Sequence, residues 1–146
     1  MPATRWSGLE LSPAGRETAP CFDGAAGVLK SYATTFDYFA VAYLNEGIAL
    51  RNSGITKPIL VLHPQAINFK KIIEYNLEPS IYSSKILEKF ISVSSQEKQK
   101  DYPVHIKFNT GLNRLGFWQD DIKYIVKTVS ETKNISVKSI FSHLAA

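Results

Sequence analysis

The sequence predicts an α/β fold, part of a (β/α)8 TIM-type barrel with about five parallel strands and helices between them. Three observations carry this expectation. Five apolar segments begin near residues 37, 58, 79, 103 and 135, and stretches of helical character separate them. Several of these segments are continuous apolar runs, such as PILVL at 58–62, as expected of strands covered on both faces. No glycine-rich phosphate turn (GxGxxG or a P-loop) occurs anywhere, although a doubly wound sheet would show one after its first strand. A whole barrel takes roughly 250 residues, so a chain of 146 is expected to hold an incomplete one.

Taken in order, residues 1–24 contain three Pro and three Gly without apolar periodicity and read as an irregular tail outside the fold, with the partial barrel domain spanning 25–146. DYFAVAY at 37–43 is the first buried strand. NEGIALRNSG at 45–54 follows as a short helix, with Asn45 as N-cap and Gly54 as its stop. After PILVL, a helix over 67–76 places Phe69, Ile72 and Ile73 on one side. Pro79–Tyr82 is a short strand, and 84–93 is a helix with Ile86, Leu87, Phe90 and Ile91 inward. SSQEKQKDYP at 94–103 reads as a polar loop, Val104–Asn109 as a strand, and 120–130 as a helix burying Ile122, Ile125, Val126 and Val129. Ile135–Phe141 is the last strand.

Composition narrows the function classes. The chain is 45% hydrophobic and 21% charged, which is ordinary globular usage. Its net charge of +4 comes from scattered lysines interleaved with acids, without the basic stripe or motif that nucleic-acid binding needs. No apolar run approaches the roughly 20 residues of a membrane span, and no signal peptide opens the chain. One cysteine, Cys21, excludes a disulfide framework and a cysteine zinc site, and no His or carboxylate pair stands at metal-ligand spacing. The expectation is a cytoplasmic protein with no metal, nucleic-acid or membrane partner.

The chemistry concentrates in YPVHIKFNTGLNRLGF at 102–117. Alternation along a strand puts Val104, Ile106 and Phe108 on one face and His105, Lys107 and Asn109 on the other. With the apolar face against helices, Lys107 and Asn109 point into the barrel at the C-terminal strand end, where barrel active sites form. A buried lysine must pair with an acid, lose its proton or be modified; as a neutral amine it is a nucleophile suited to a Schiff base or to carbamylation. Arg114, three residues beyond Gly111 on the loop rim, suits a carboxylate, phosphate or phenolate oxygen. The alternative on pattern alone is an edge strand with a solvated Lys107 and a surface Arg114. His143 ends the last strand, and His63 ends PILVLH in a similar place.

These segments resemble alanine racemase, the fold-type III pyridoxal-phosphate family. The resemblance lies in DYFAVAYLNEGIALRNSGITKPILVL, NLEPSIYS, HIKFNTGLNRLGF and SIFSHLAA, in family order from about Asp37 to Ala146. The form HPQ…NFKKIIEYNLEPSIYS is most similar to the racemase half of fused MurNAc-tripeptide:D-Ala-D-Ala ligase/alanine racemase proteins. The resemblance implies interconversion of L- and D-alanine with pyridoxal phosphate for peptidoglycan synthesis, in a homodimer. It implies that Lys107 is the lysine often carbamylated, that Arg114 is the arginine oriented by that carbamate toward the cofactor's phenolic oxygen, and that His143 is the histidine near the cofactor. The family form DTGMxRxG has an acid and a methionine where this chain has Asn109 and Leu112.

The family's first strand carries the Schiff-base lysine in a segment like VKANAYGHG, which is absent here. Lys30 in GVLKSY is superficially similar, but six residues separate it from Asp37 where the family places a whole helix, so Lys30 reads as the end of that helix. The segment with the family's catalytic tyrosine is likewise absent. The expectation is therefore a fragment that cannot racemise by itself. Two alternatives stand beside it: another fold-type III pyridoxal-phosphate-binding protein, or a non-catalytic α/β interaction module.

Overall fold

The computed structural model describes residues 35–144. The proposed tail at 1–24 and Lys30 lie outside them. The elements are β1 (Phe39–Val41), α1 (Leu44–Asn52), β2 (Ile59–Val61), α2 (Phe69–Glu74), β3 (Glu78–Ile81), α3 (Ser84–Gln96), β4 (Tyr102–Thr110), α4 (Ile122–Ser130) and β5 (Ile135–Leu144). The strands form one sheet in the order β1-β2-β3-β4-β5, and every neighbouring pair is parallel. Strands laid side by side in chain order, one helix between each pair, form a barrel wall; a doubly wound sheet would reverse its order partway.

Side-chain chemistry explains the element ends. The N-cap of α1 lies two residues earlier than expected: it is Tyr43, not Asn45. The capping is done from inside, where the Glu46 carboxylate accepts the N–H groups of Ala42 (2.7 Å) and Tyr43 (3.2 Å). Its stop is the predicted one. Gly54 takes φ 86°, letting Ile55 N–H reach the Leu50 carbonyl at 3.1 Å and Gly54 N–H reach that of Arg51 at 2.9 Å. Arg51 then braces the layer by donating to the carbonyls of Ile55, Lys57, Tyr75 and Asn76.

The core lies between sheet and helices. Ile59, Val61, Phe69, Ile72, Ile81, Leu87, Phe90 and Val104 are fully buried. Phe69 and Phe90 meet edge to face at 5.0 Å between ring centres. The Tyr102 hydroxyl donates toward the Leu77 carbonyl (2.7 Å) and lies 3.1 Å from that of Ile72, tying β4 to the end of α2.

Three helical expectations need correction. α2 is a single short helix led in by a 3-10 turn at Ala66–Asn68, and Ile67 stands 88% exposed. α3 runs on to Gln96, and its Ser94 is fully buried, so the polar run is loop only from residue 97. In α4 the 3.6-residue period holds, but Ile125 alone is buried, while Ile122 and Val126 are 45% and 62% exposed. Periodicity shows that a helix has an apolar face; it does not show that a neighbour covers the whole of it.

β4 and β5 pair over their whole length with one irregularity. Val104 stands opposite Val137 but His105 opposite Ser139, so Lys138 is an extra residue bulged out of the ladder. Before the bulge Ile135 and Val137 share the side of Tyr102 and Val104; after it Ile140, Ser142 and Leu144 share the side of Ile106, Phe108 and Thr110. Among the described residues no helix is long and apolar enough to cross a membrane.

Candidate functional site

β4 is an inner strand, flanked by β3 and β5, which removes the edge-strand alternative. Lys107 is 5% exposed and His105 3%. Arg114 is on the surface of the following loop. That loop is built tightly. Lys107 O accepts from Phe117 N–H (2.9 Å) and Phe117 O from Asn109 N–H (2.9 Å), closing the excursion back onto the strand that began it. Inside, the Asn109 Oδ1 accepts from the N–H groups of Asn113 (3.0 Å) and Gly111 (3.3 Å), while its Nδ2 donates to the Asn113 side chain (3.1 Å). Gly116 takes φ +139°, and a Cβ there would sit 2.5 Å from the Phe108 carbonyl carbon. Only glycine allows the return strand to lie this close.

The strand ends gather positive charge. Burial, and then the charge of Arg114, hold the Lys107 ammonium below the ordinary lysine value. His63, at the end of β2, is held below the ordinary imidazole value by burial first and then by Lys107 and Arg114. His63 is thus a nearer member of the cluster than its sequence position suggested. Its ring also lies 5.9 Å from that of Tyr43, beside a depression of about 210 Å³ lined by Tyr43, Asn45, His63, Gln65 and Asn68. His143 stands opposite Asn109 in the β4–β5 register and is exposed.

No carboxylate among the described residues pairs with Lys107 or Arg114. The ion pairs among the described residues join Lys70 to Glu97, Lys127 to Glu131, and both His105 and Lys138 to Glu78, and none includes Lys107 or Arg114. A buried ammonium that feels the charge of a guanidinium, with no carboxylate paired to either among the described residues, suits an anionic group. No group of three metal-ligating side chains exists among the described residues.

Sequence reasoning missed a second polar group on the same side of the sheet: Glu78, Tyr38, Lys138 and Ser139 around His105. Two signals for it were present. A glutamate sits inside the apolar NLEPSIY run, and the apolar alternation of β5 skips a residue between Val137 and Ile140.

A parallel strand-and-helix wall with its strands side by side in chain order defines a protein of the α/β barrel class. Comparison with known proteins narrows this. The family described as "Alanine racemase, N-terminal domain" matches residues 23–146. An alanine racemase of Carboxydothermus hydrogenoformans is 33% identical over 112 residues, covering 73% of this chain and 29% of that protein. One of Clostridium tetani is 39% identical over 111 residues, covering 73% and 28%. Among solved structures, the alanine racemase of Clostridium difficile 630 superposes with a TM-score of 0.74 at 29% identity, over 84% of this chain and 32% of that one. The chain belongs to the alanine racemase N-terminal domain family. It spans under a third of the length of these curated relatives.

Proposed function

We propose that this chain forms one wall of an alanine racemase barrel and holds the phenolate edge of pyridoxal phosphate at its strand ends, in a protein that supplies D-alanine to the cell wall from the cytoplasm as a homodimer. The observation that carries the reading is the buried Lys107 at the strand ends, which feels the charge of the surface Arg114 and is paired with no carboxylate among the described residues.

The residues present fit the cofactor in part. Arg114 donates to an anionic ring oxygen. Burial lowers the proton affinity of Lys107 and so eases loss of its proton; attack of the resulting amine on carbon dioxide with loss of a further proton gives a carbamate anion, which reverses the local charge and pairs with Arg114. Asn109 keeps Arg114 at the rim by folding the loop around its own amide. His143 stands at the same end of the sheet as Lys107. When bound, pyridoxal phosphate stabilises the carbanion left by removal of the substrate's Cα proton. The two groups that move this proton in the family, the Schiff-base lysine and a tyrosine, have no motif match in these 146 residues. A polypeptide of this sequence alone therefore orients the cofactor without racemising alanine, since each missing acid–base group is worth about 10²–10⁴-fold.

Borohydride reduction after addition of pyridoxal phosphate, read by peptide mass spectrometry with a parallel alanine racemisation assay, tests this. Scattered labelling of surface lysines without turnover is expected. Saturable labelling of Lys30 at one equivalent, with turnover, would overturn the assignment of roles.

A further inference from the structure

Beneath the strand-end cations lies a polar cluster that the racemase reading leaves unused. Its centre is Glu78, at the start of β3 and 6% exposed. Glu78 Oε2 accepts from the hydroxyl of Tyr38, which immediately precedes β1. The same oxygen is 2.7 Å from Nε2 of His105 on β4, and Oε1 accepts from the Lys138 ammonium of β5 at 2.9 Å. His105 is fixed at its other nitrogen, with Nδ1 2.6 Å from Ser139 Oγ.

The partners come from both borders of the sheet. β1 and β5 are its outer strands among the described residues, with three strands between them. In a flat sheet, four spacings of about 4.8 Å would hold them about 19 Å apart, with side chains standing perpendicular to the surface. Yet the Lys138 ammonium lies 5.0 Å from the centre of the Tyr38 ring. The sheet curls until its borders meet over one carboxylate. The β5 bulge contributes: in regular alternation Lys138 and Ser139 would point to opposite faces, and the extra residue lets both reach the cluster.

We propose that Glu78 is a cross-sheet clamp: one buried carboxylate ties both outer strands to β3, sets the curl of the sheet, and thereby sets the spacing of His63, Lys107 and His143 at the strand ends. This holds whatever the strand ends bind, so it does not depend on the racemase reading. Burial alone would raise the Glu78 carboxyl, but hydrogen bonds and charge from His105 and Lys138 outweigh it and hold the group below the ordinary carboxylate value. The other titratable or charged groups facing Glu78 are Tyr38, the buried Tyr102 phenol, and Arg51, Lys100 and Asp101 around a neighbouring cleft of about 330 Å³. For a depressed carboxyl, the clamp is complete above the unfolded-state value and is released as pH falls through the folded-state one.

The experiment is a double electron–electron resonance distance between nitroxides at Asn52→Cys (exposed, end of α1) and Ser136→Cys (exposed, β5), in the full chain with Cys21→Ser. A single narrow distance is expected at neutral pH. Lys138→Met, at a side chain 43% exposed, is expected to lengthen and broaden it, Lys138→Arg to restore it, and Glu78→Gln to broaden it as well. Where Glu78→Gln fails to fold by circular dichroism, the two Lys138 variants decide. A distance unchanged in Lys138→Met, or one that Lys138→Arg does not restore, would overturn the clamp.

Discussion

Lys107 is the residue whose environment and chemistry are most at odds. Its ammonium is buried beside two other cationic or basic groups, and burial and Arg114 both disfavour the proton it carries. Removing an uncompensated buried charge relieves that cost. Lys107→Met is therefore expected to stabilise the chain at neutral pH by on the order of 1 kcal/mol, read from urea denaturation. Because the folded-state value is depressed, the gain over wild type should be full below it, shrink as pH rises above it, and vanish only above the unfolded-state lysine value. A destabilised Lys107→Met would mean that the amine already carries an anion, such as a carbamate. Gly116 sets the opposite kind of constraint. Gly116→Ala should cost about 1–3 kcal/mol, from the positive φ and from the clash with the Phe108 backbone; a neutral result in the same assay would show that the loop returns by another path.

At the scale of the element, the β4 loop depends on an amide where the family has an acid. Asn109 Oδ1 takes two backbone N–H groups, and its Nδ2 adds a third bond to Asn113. Asn109→Asp preserves both acceptor roles, gives up one donor and places a negative charge two residues from Lys107. Its expected stability is within about 1 kcal/mol of wild type, whereas Asn109→Ala should lose about 1–2 kcal/mol by stranding the loop N–H groups. Equal effects of the two variants would show that these bonds do not hold the loop. Helix α4 shows the limit of element-scale reasoning in the other direction: its apolar period is strong, yet Ile122 and Val126 face outward beside a 58% exposed Trp118.

For the whole molecule, the described sheet has two outer strands, β1 and β5, and exposes Ile140 (68%) and Leu144 (75%) on the last of them. Unpaired strand edges and apolar side chains of this kind favour pairing with other chains. As a polypeptide of 146 residues the protein is expected to self-associate with increasing concentration, read by size-exclusion chromatography with light scattering. Monomeric behaviour up to about 100 μM with cooperative two-state unfolding would count against this.

Much of this was legible in the residues themselves. The order and type of all nine elements, the burial of Ile59 and Val61 within PILVL and the inward turn of Lys107 follow from local periodicity, because a strand or helix shows its faces in its own sequence; that Leu60 and Leu62 stay half-buried does not. The Gly54 stop is equally local, a matter of one backbone angle. The family likeness was legible too, in HIKFNTGLNRLGF and its companions. What only the tertiary structure decided are relations between segments far apart in the chain. Glu78 drew no reading from the sequence, because the partners that satisfy it, Tyr38, His105 and Lys138, arrive from 40, 27 and 60 residues away. His63 came under the charge of Lys107 and Arg114 in the same way. Which part of α4 is covered, and where β5 skips a residue, also depend on neighbours. Hydrophobic pattern is a property of one segment; the pairing of buried charges and the curl of a sheet belong to the distances between segments, which no single segment contains.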